Sequence, residues 1–89
     1  MPTNLRATMI ATTYVILSWT DNSSNELGFY VYRSTNGGVS WVLVGLTTAN
    51  STSFRNTGLT TKTPYMYRVQ AFNVSGVSAF SNTLSVTTQ

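Results

Sequence analysis

Tyr65-Met66-Tyr67-Arg68-Val69-Gln70-Ala71 is the cleanest alternation in this chain. Side chains along a β-strand point in turn to opposite faces, so Tyr65, Tyr67, Val69 and Ala71 share one face. Met66, Arg68, Gln70 and, one step further, Phe72 share the other. A strand of this kind needs partners that bury its apolar face, and the rest of the sequence supplies them. Upstream, Val15-Ile16-Leu17-Ser18-Trp19 places Val15, Leu17 and Trp19 on one side, and Phe29-Tyr30-Val31-Tyr32-Arg33 separates Phe29 and Val31 from Tyr30 and Tyr32. A first strand is expected over Thr3 to Met9, with Leu5 and Ala7 on one side. Another follows the Asn36-Gly37 turn signal as Trp41-Val42-Leu43-Val44. A short one around Ser53 to Asn56 points Phe54 inward, and a last one, Leu84-Ser85-Val86, points Leu84 and Val86 inward. Between them lie polar stretches at Thr20 to Leu27, Thr47 to Thr52 and Asn73 to Gly76.

No window places apolar residues at helical spacing together with caps. Eleven serines and sixteen threonines further disfavour helix. The reading is all-β, with about seven short strands at the turn spacing of a two-sheet sandwich. The first, second and fifth strands form one sheet and the others the second. The expected core is Leu5, Val15, Leu17, Trp19, Phe29, Val31, Val44, Phe54, Leu59, Tyr65, Tyr67, Val69, Ala71, Leu84 and Val86. The 89 residues are read as one domain, residues 1–89, because two cores would each fall below the size that burial alone can stabilise.

Composition narrows function by what it withholds. There is no cysteine and no histidine, which removes disulfides, thiolate chemistry, the commonest general base and the commonest metal ligand. Charged residues make up only 8% of the chain, and the only carboxylates are Asp21 and Glu26. Glycoside hydrolysis needs two carboxyl groups held apart across a cleft, whereas these two fall in one Asn- and Ser-rich loop, where carboxylates cap turns. A calcium site using Asp21, Asn22 and Glu26 lacks any recognised loop spacing. Hydroxyl nucleophiles abound without a base to activate them. Neither catalysis nor a cofactor is therefore expected. The net charge of +3 comes from five scattered basic residues, so no nucleic-acid partner is expected. The longest apolar runs are short against the roughly 20 residues of a membrane span, so no membrane insertion is expected either. Met1-Pro2-Thr3-Asn4 does not read as an export signal, and such a signal would lie outside this chain. Three Asn-x-Ser/Thr triplets, at Asn22, Asn50 and Asn73, fall in expected loops and arise easily by chance in so Ser- and Thr-rich a chain.

Taken in order, Pro2 with Leu5, Leu17-Ser18-Trp19, Gly28-Phe29-Tyr30-Val31, Leu59 with Tyr65, Tyr67-Arg68-Val69-Gln70-Ala71-Phe72-Asn73 and Ser81-Asn82 resemble the fibronectin type III family over nearly the whole chain. The run from Trp19 to Phe29, with Arg33-Ser34 after it, is similar to the variant found in secreted microbial multidomain proteins. The resemblance implies an immunoglobulin-like sandwich. It gives Trp19, Leu59 and Tyr65 structural roles, with the Tyr65 phenol bonded to backbone at a tyrosine corner. Thr61 and Pro64 depart from the family pattern at that corner. Asn73 to Ser78 lacks an Arg-Gly-Asp triplet, so integrin binding receives no support.

The remaining candidate is the outer face of the larger sheet. If Phe29, Val31, Tyr67 and Val69 point inward, Tyr30, Tyr32, Met66, Arg68 and Phe72 must point outward, joined by Trp41 and Leu43 if Val42 and Val44 fill the core. Aromatics around one arginine suit a protein or glycan contact surface, and they equally suit cross-strand packing that needs no ligand. The leading expectation is a non-catalytic extracellular or cell-surface module, monomeric in isolation, that spaces, orients or links neighbouring domains of a larger secreted chain. The alternative is a binding module for a glycan or partner protein through Tyr30, Tyr32, Trp41, Arg68 and Phe72. Homotypic packing in an array is a third possibility.

Overall fold

A computed structural model describes residues 2–22 and 26–89. Met1 and Ser23-Ser24-Asn25, the middle of the polar loop and part of the Asn22 triplet, lie outside the described residues. The chain forms β1 (Thr3–Ile10), β2 (Val15–Thr20), β3 (Gly28–Ser34), β4 (Val42–Thr48), β5 (Ser53–Asn56), β6 (Pro64–Asn73), β7 (Gly76–Val77) and β8 (Leu84–Thr87), with no helix among the described residues. One sheet has the order β1-β2-β5. The other has the order β4-β3-β6-β7, with β8 also paired to β6. All pairings are antiparallel.

The inward faces are those the alternation predicts. Leu5, Val15, Leu17, Trp19, Phe29, Val31, Leu59, Tyr65, Tyr67, Val69, Ala71 and Val86 form the buried cluster, and Val44, Phe54 and Leu84 pack against it partly buried. The Trp19 indole lies between the layers, 5.5 Å from Phe29 at a tilt of 59°. The Tyr65 phenol oxygen accepts the Thr60 backbone N–H at 2.9 Å. This closes the connection from β5 to β6 despite Thr61 and Pro64, with Lys62 taking a positive φ of 52° in the turn.

Three local expectations need correction. Val42 does not fill the core: it is 61% exposed. It lies opposite Arg33 at the start of β4, an edge strand, and stays open to solvent there; further along, Val31 pairs with Gly45 while Tyr32 pairs with Leu43, a bulge that leaves Val44 as an extra residue and breaks the simple alternation. Trp41 precedes β4, which instead runs on through Thr47 and Thr48 of the expected loop. The turn at Asn73 to Gly76 returns as the short strand β7, giving eight strands among the described residues.

Between β7 and β8 the backbone of β6 is served by serines. Ser78 Oγ accepts the Ala71 N–H at 2.9 Å, and Ser81 Oγ accepts the Val69 N–H at 3.0 Å. Hydroxyls thus stand in where a continuous edge strand is missing, as buried backbone donors require. Next to them, Asn82 reaches across to the other sheet. Its Oδ1 accepts the Leu5 N–H at 2.8 Å and its Nδ2 donates to the Leu5 carbonyl at 3.1 Å.

The register also fixes where the chain enters and leaves. Thr3 pairs with Thr20, at the end of the sandwich that also holds Gly28, Thr48 and Phe72. Thr87 pairs with Pro64, and the Gln89 N–H bonds to the Ala11 carbonyl, at the opposite end. The molecule measures 38 × 24 × 19 Å.

Candidate functional site

The outer face of the larger sheet follows from the pairing of β3 with β6. Gly28 lies opposite Phe72, Tyr30 opposite Gln70, Tyr32 opposite Arg68 and Ser34 opposite Met66, all pointing away from the core. Gly28 matters here. A Cβ at that position would collide with the Thr47 carbonyl and crowd the Phe72 ring. The bare backbone therefore lets Phe72 lie over the strand and stack on Tyr30, with centroids 4.4 Å apart and planes 17° from parallel. Tyr30 meets Tyr32 edge-on at 6.4 Å, and Tyr32 meets Phe80 edge-on at 5.5 Å. The Arg68 guanidinium completes the row, its Cζ 4.3 Å from the Trp41 ring centroid and 3.8 Å from that of Phe80.

Tyr30, Tyr32, Trp41, Arg68 and Phe72 are thus brought together on one face, but as a self-packed row. All five are half-buried, each ring turned onto a neighbour. Phe80 joins them from the connection between β7 and β8, a contribution the sequence reading missed because it precedes β8 in a segment without alternation. On the β4 side the bulge at Val44 brings Leu43 opposite Tyr32 and Leu46 opposite Tyr30. Residues three apart would otherwise face opposite ways. Leu43 and Leu46 are 49% and 62% exposed.

The carboxylates do not form a pair at a cleft. Glu26 is buried, its Oε1 accepting the Asn50 N–H at 3.3 Å and its Oε2 sealed without a partner. A pocket of about 270 Å³ lies beside it, between Phe72 and the β6–β7 turn. No group of three or more metal-ligating side chains occurs among the described residues.

A second polar cluster lies at the inner end of β3, where sequence reading assigned Arg33 no role. The Tyr67 hydroxyl donates to Asn56 Oδ1 at 2.6 Å, and Arg33 Nη1 donates to the same oxygen at 3.2 Å. Burial pushes the Tyr67 phenol up from 10.0 to about 12, against the opposing pull of the Arg33 charge.

The sequence matches the fibronectin type III domain family over residues 1–87. The chain belongs to the fibronectin type III family. Among relatives, this fibronectin type III domain is 41% identical over 92 residues to exoglucanase B of Cellulomonas fimi, covering all of this chain and 8% of that protein. It is 41% identical over 91 residues to chitinase Chi52 of Paenibacillus xylanexedens, covering 99% of this chain and 16% of that protein. The domain therefore spans less than a fifth of the length of these relatives. Its fold is similar to that of titin domains A168–A170, with a TM-score of 0.84 and 26% identity, covering 98% of this chain and 31% of that one. It is also similar to the fibronectin type III domain of human collagen XX, with a TM-score of 0.83 and 22% identity, covering 98% and 88%.

Proposed function

We propose that this fibronectin type III domain is a non-catalytic extracellular module that spaces and orients its neighbours in a longer chain. The observation that carries this reading is the placement of the two ends. Thr3 and Thr87 sit at opposite ends of the sandwich, so a chain passing through the domain is displaced by about the length of its strands. A disulfide-free sandwich with interdigitated sheets keeps that distance fixed, where a flexible linker of the same residue count would sample many separations. The relatives support the setting, because in each the matching region is a small part of a protein named for hydrolysis of a polysaccharide. The buried Glu26, committed on one oxygen to the Asn50 backbone, is consistent with a module that performs no bond cleavage itself.

The test uses the purified domain. It is expected to sediment as a monomer and to release no reducing sugar from cellulose, chitin or starch. Placed between two labelled domains, it is expected to hold them at one separation, read as a single narrow distance distribution. Turnover of any of the polysaccharides, or a broad distribution like that of a flexible linker, would overturn the proposal.

A further inference from the structure

The guanidinium of Arg68 is held between two aromatic rings and, among the described residues, makes no hydrogen bond. Trp41 and Phe80 rings lie within 4.3 and 3.8 Å of its Cζ, so the side chain is fixed by packing on its π-faces. Its Nε is sealed from solvent without a partner, and among the described residues no hydrogen bond engages Nη1 or Nη2. Neither carboxylate can supply the counter-charge. Asp21 belongs to the loop after β2, and Glu26 is buried beside Asn50 at the end of the sandwich. An arginine fixed in this way has already lost the rotamer freedom that recognition would otherwise cost, and its terminal nitrogens form the planar fork that matches a carboxylate.

We propose that Arg68, with Trp41, Phe80 and Tyr32 around it, is a receptor for an aspartate or glutamate side chain on a partner polypeptide. The choice of a polypeptide follows from what surrounds the fork. Tyr30 and Phe72 each cover one face of the other and Arg68 covers one face of Trp41, so less open ring is left for a sugar to stack on. Exposed aliphatic side chains, Leu43 and Leu46 along β4 and Val77 on β7, flank the aromatic row instead. Arginine and aromatics with an apolar surround are the composition of a protein interface centre. The charge agrees, since a chain of net +3 with no free acid on this face repels basic partners and attracts acidic ones.

The probe is a short poly-glutamate peptide, titrated into isotope-labelled domain at low salt, with a poly-glutamine peptide and an oligogalacturonate alongside. The poly-glutamate is expected to shift the Arg68 Nε–H, the Trp41 indole N–H and the Tyr32 amide, and poly-glutamine to shift none. Arg68→Lys keeps the charge but not the fork, and is expected to weaken binding by about tenfold or more. Three results would overturn the proposal. One is a response spread evenly over Arg6, Arg55 and Lys62, which is general charge attraction. Another is equal binding by the lysine variant. The third is binding of the oligogalacturonate without the peptide, which places a glycan at this site. The wild-type Arg68 signal is itself diagnostic, so the outcome does not depend on the variant folding. Each of these failures leaves the spacer reading standing, because that reading rests on the ends of the molecule.

Discussion

Replacing Tyr67 by Phe removes one oxygen from a fully buried site and changes how stability depends on pH. In the native domain that hydroxyl donates to Asn56 Oδ1, which also accepts from Arg33. Deletion therefore leaves Asn56 with one remaining donor, and near neutral pH the cost is that of a single buried hydrogen bond, about 1–1.5 kcal/mol. At alkaline pH the sign changes. Burial raises the phenol from 10.0 to about 12, so between those values the unfolded chain loses a proton that the folded chain keeps. Stability from this group is complete below pH 10 and is lost as pH rises through 12. The loss approaches roughly 3 kcal/mol, about half of it gone by pH ~11. Tyr67→Phe has no such proton to lose. The variant is thus expected to be less stable than wild type at pH 7, equal to it near pH ~11 and more stable near pH ~12. Urea unfolding at a series of pH values, analysed for midpoint and slope together, measures the crossing. If the two curves stay parallel from pH 7 to 12, the buried, neutral phenol described here is wrong.

Trp19→Ala empties the centre of the sandwich beside Phe29 and is expected to cost about 3–5 kcal/mol, enough to unfold much of the population. A denaturation midpoint close to wild type would contradict the placement of the indole. Gly28→Ala drives a methyl group into the Thr47 carbonyl and the Phe72 ring, and is expected to cost roughly 1–3 kcal/mol by the same measurement, against about zero if the strands can part there freely. A double-mutant cycle on Tyr30→Ala and Phe72→Ala is expected to give a coupling of about 0.5–1.5 kcal/mol, and additive effects would show that the stacked pair is only an incidental contact.

Much of this architecture was legible because strands write their faces into sequence with period two. The inward residues of β2, β3 and β6 could be named directly, and with them the membership of the outer row. Where the period breaks, so did the reading. A single extra residue at Val44 returns Leu46 to the face of Leu43, a shift set by pairing with β3 and invisible in β4 alone, and Val42 is exposed because it opens an edge strand. Phe80 was missed for a related reason. It lies in a segment held to β6 only at Ser78 and Ser81, by their backbone N–H groups and hydroxyls and not by a continuous ladder, so no alternation marks its direction. Neither the direction of each ring nor the stacking of Arg68 is encoded in spacing. Sequence could place these groups on one side of a sheet but could not tell a row of open rings from rings closed upon one another.

The Asn82 amide has a mechanical consequence. Because the two ends of the chain emerge from opposite ends of the body, tension applied through them pulls β1 and β8 lengthwise in opposing directions. The paired bonds from Asn82 to Leu5 lie across that load and tie the first strand to the segment entering the last. Stretching must therefore break them together with the β1–β2 ladder, as a rivet fails in shear, so the domain would resist extension with a sharp yield in place of a gradual peel.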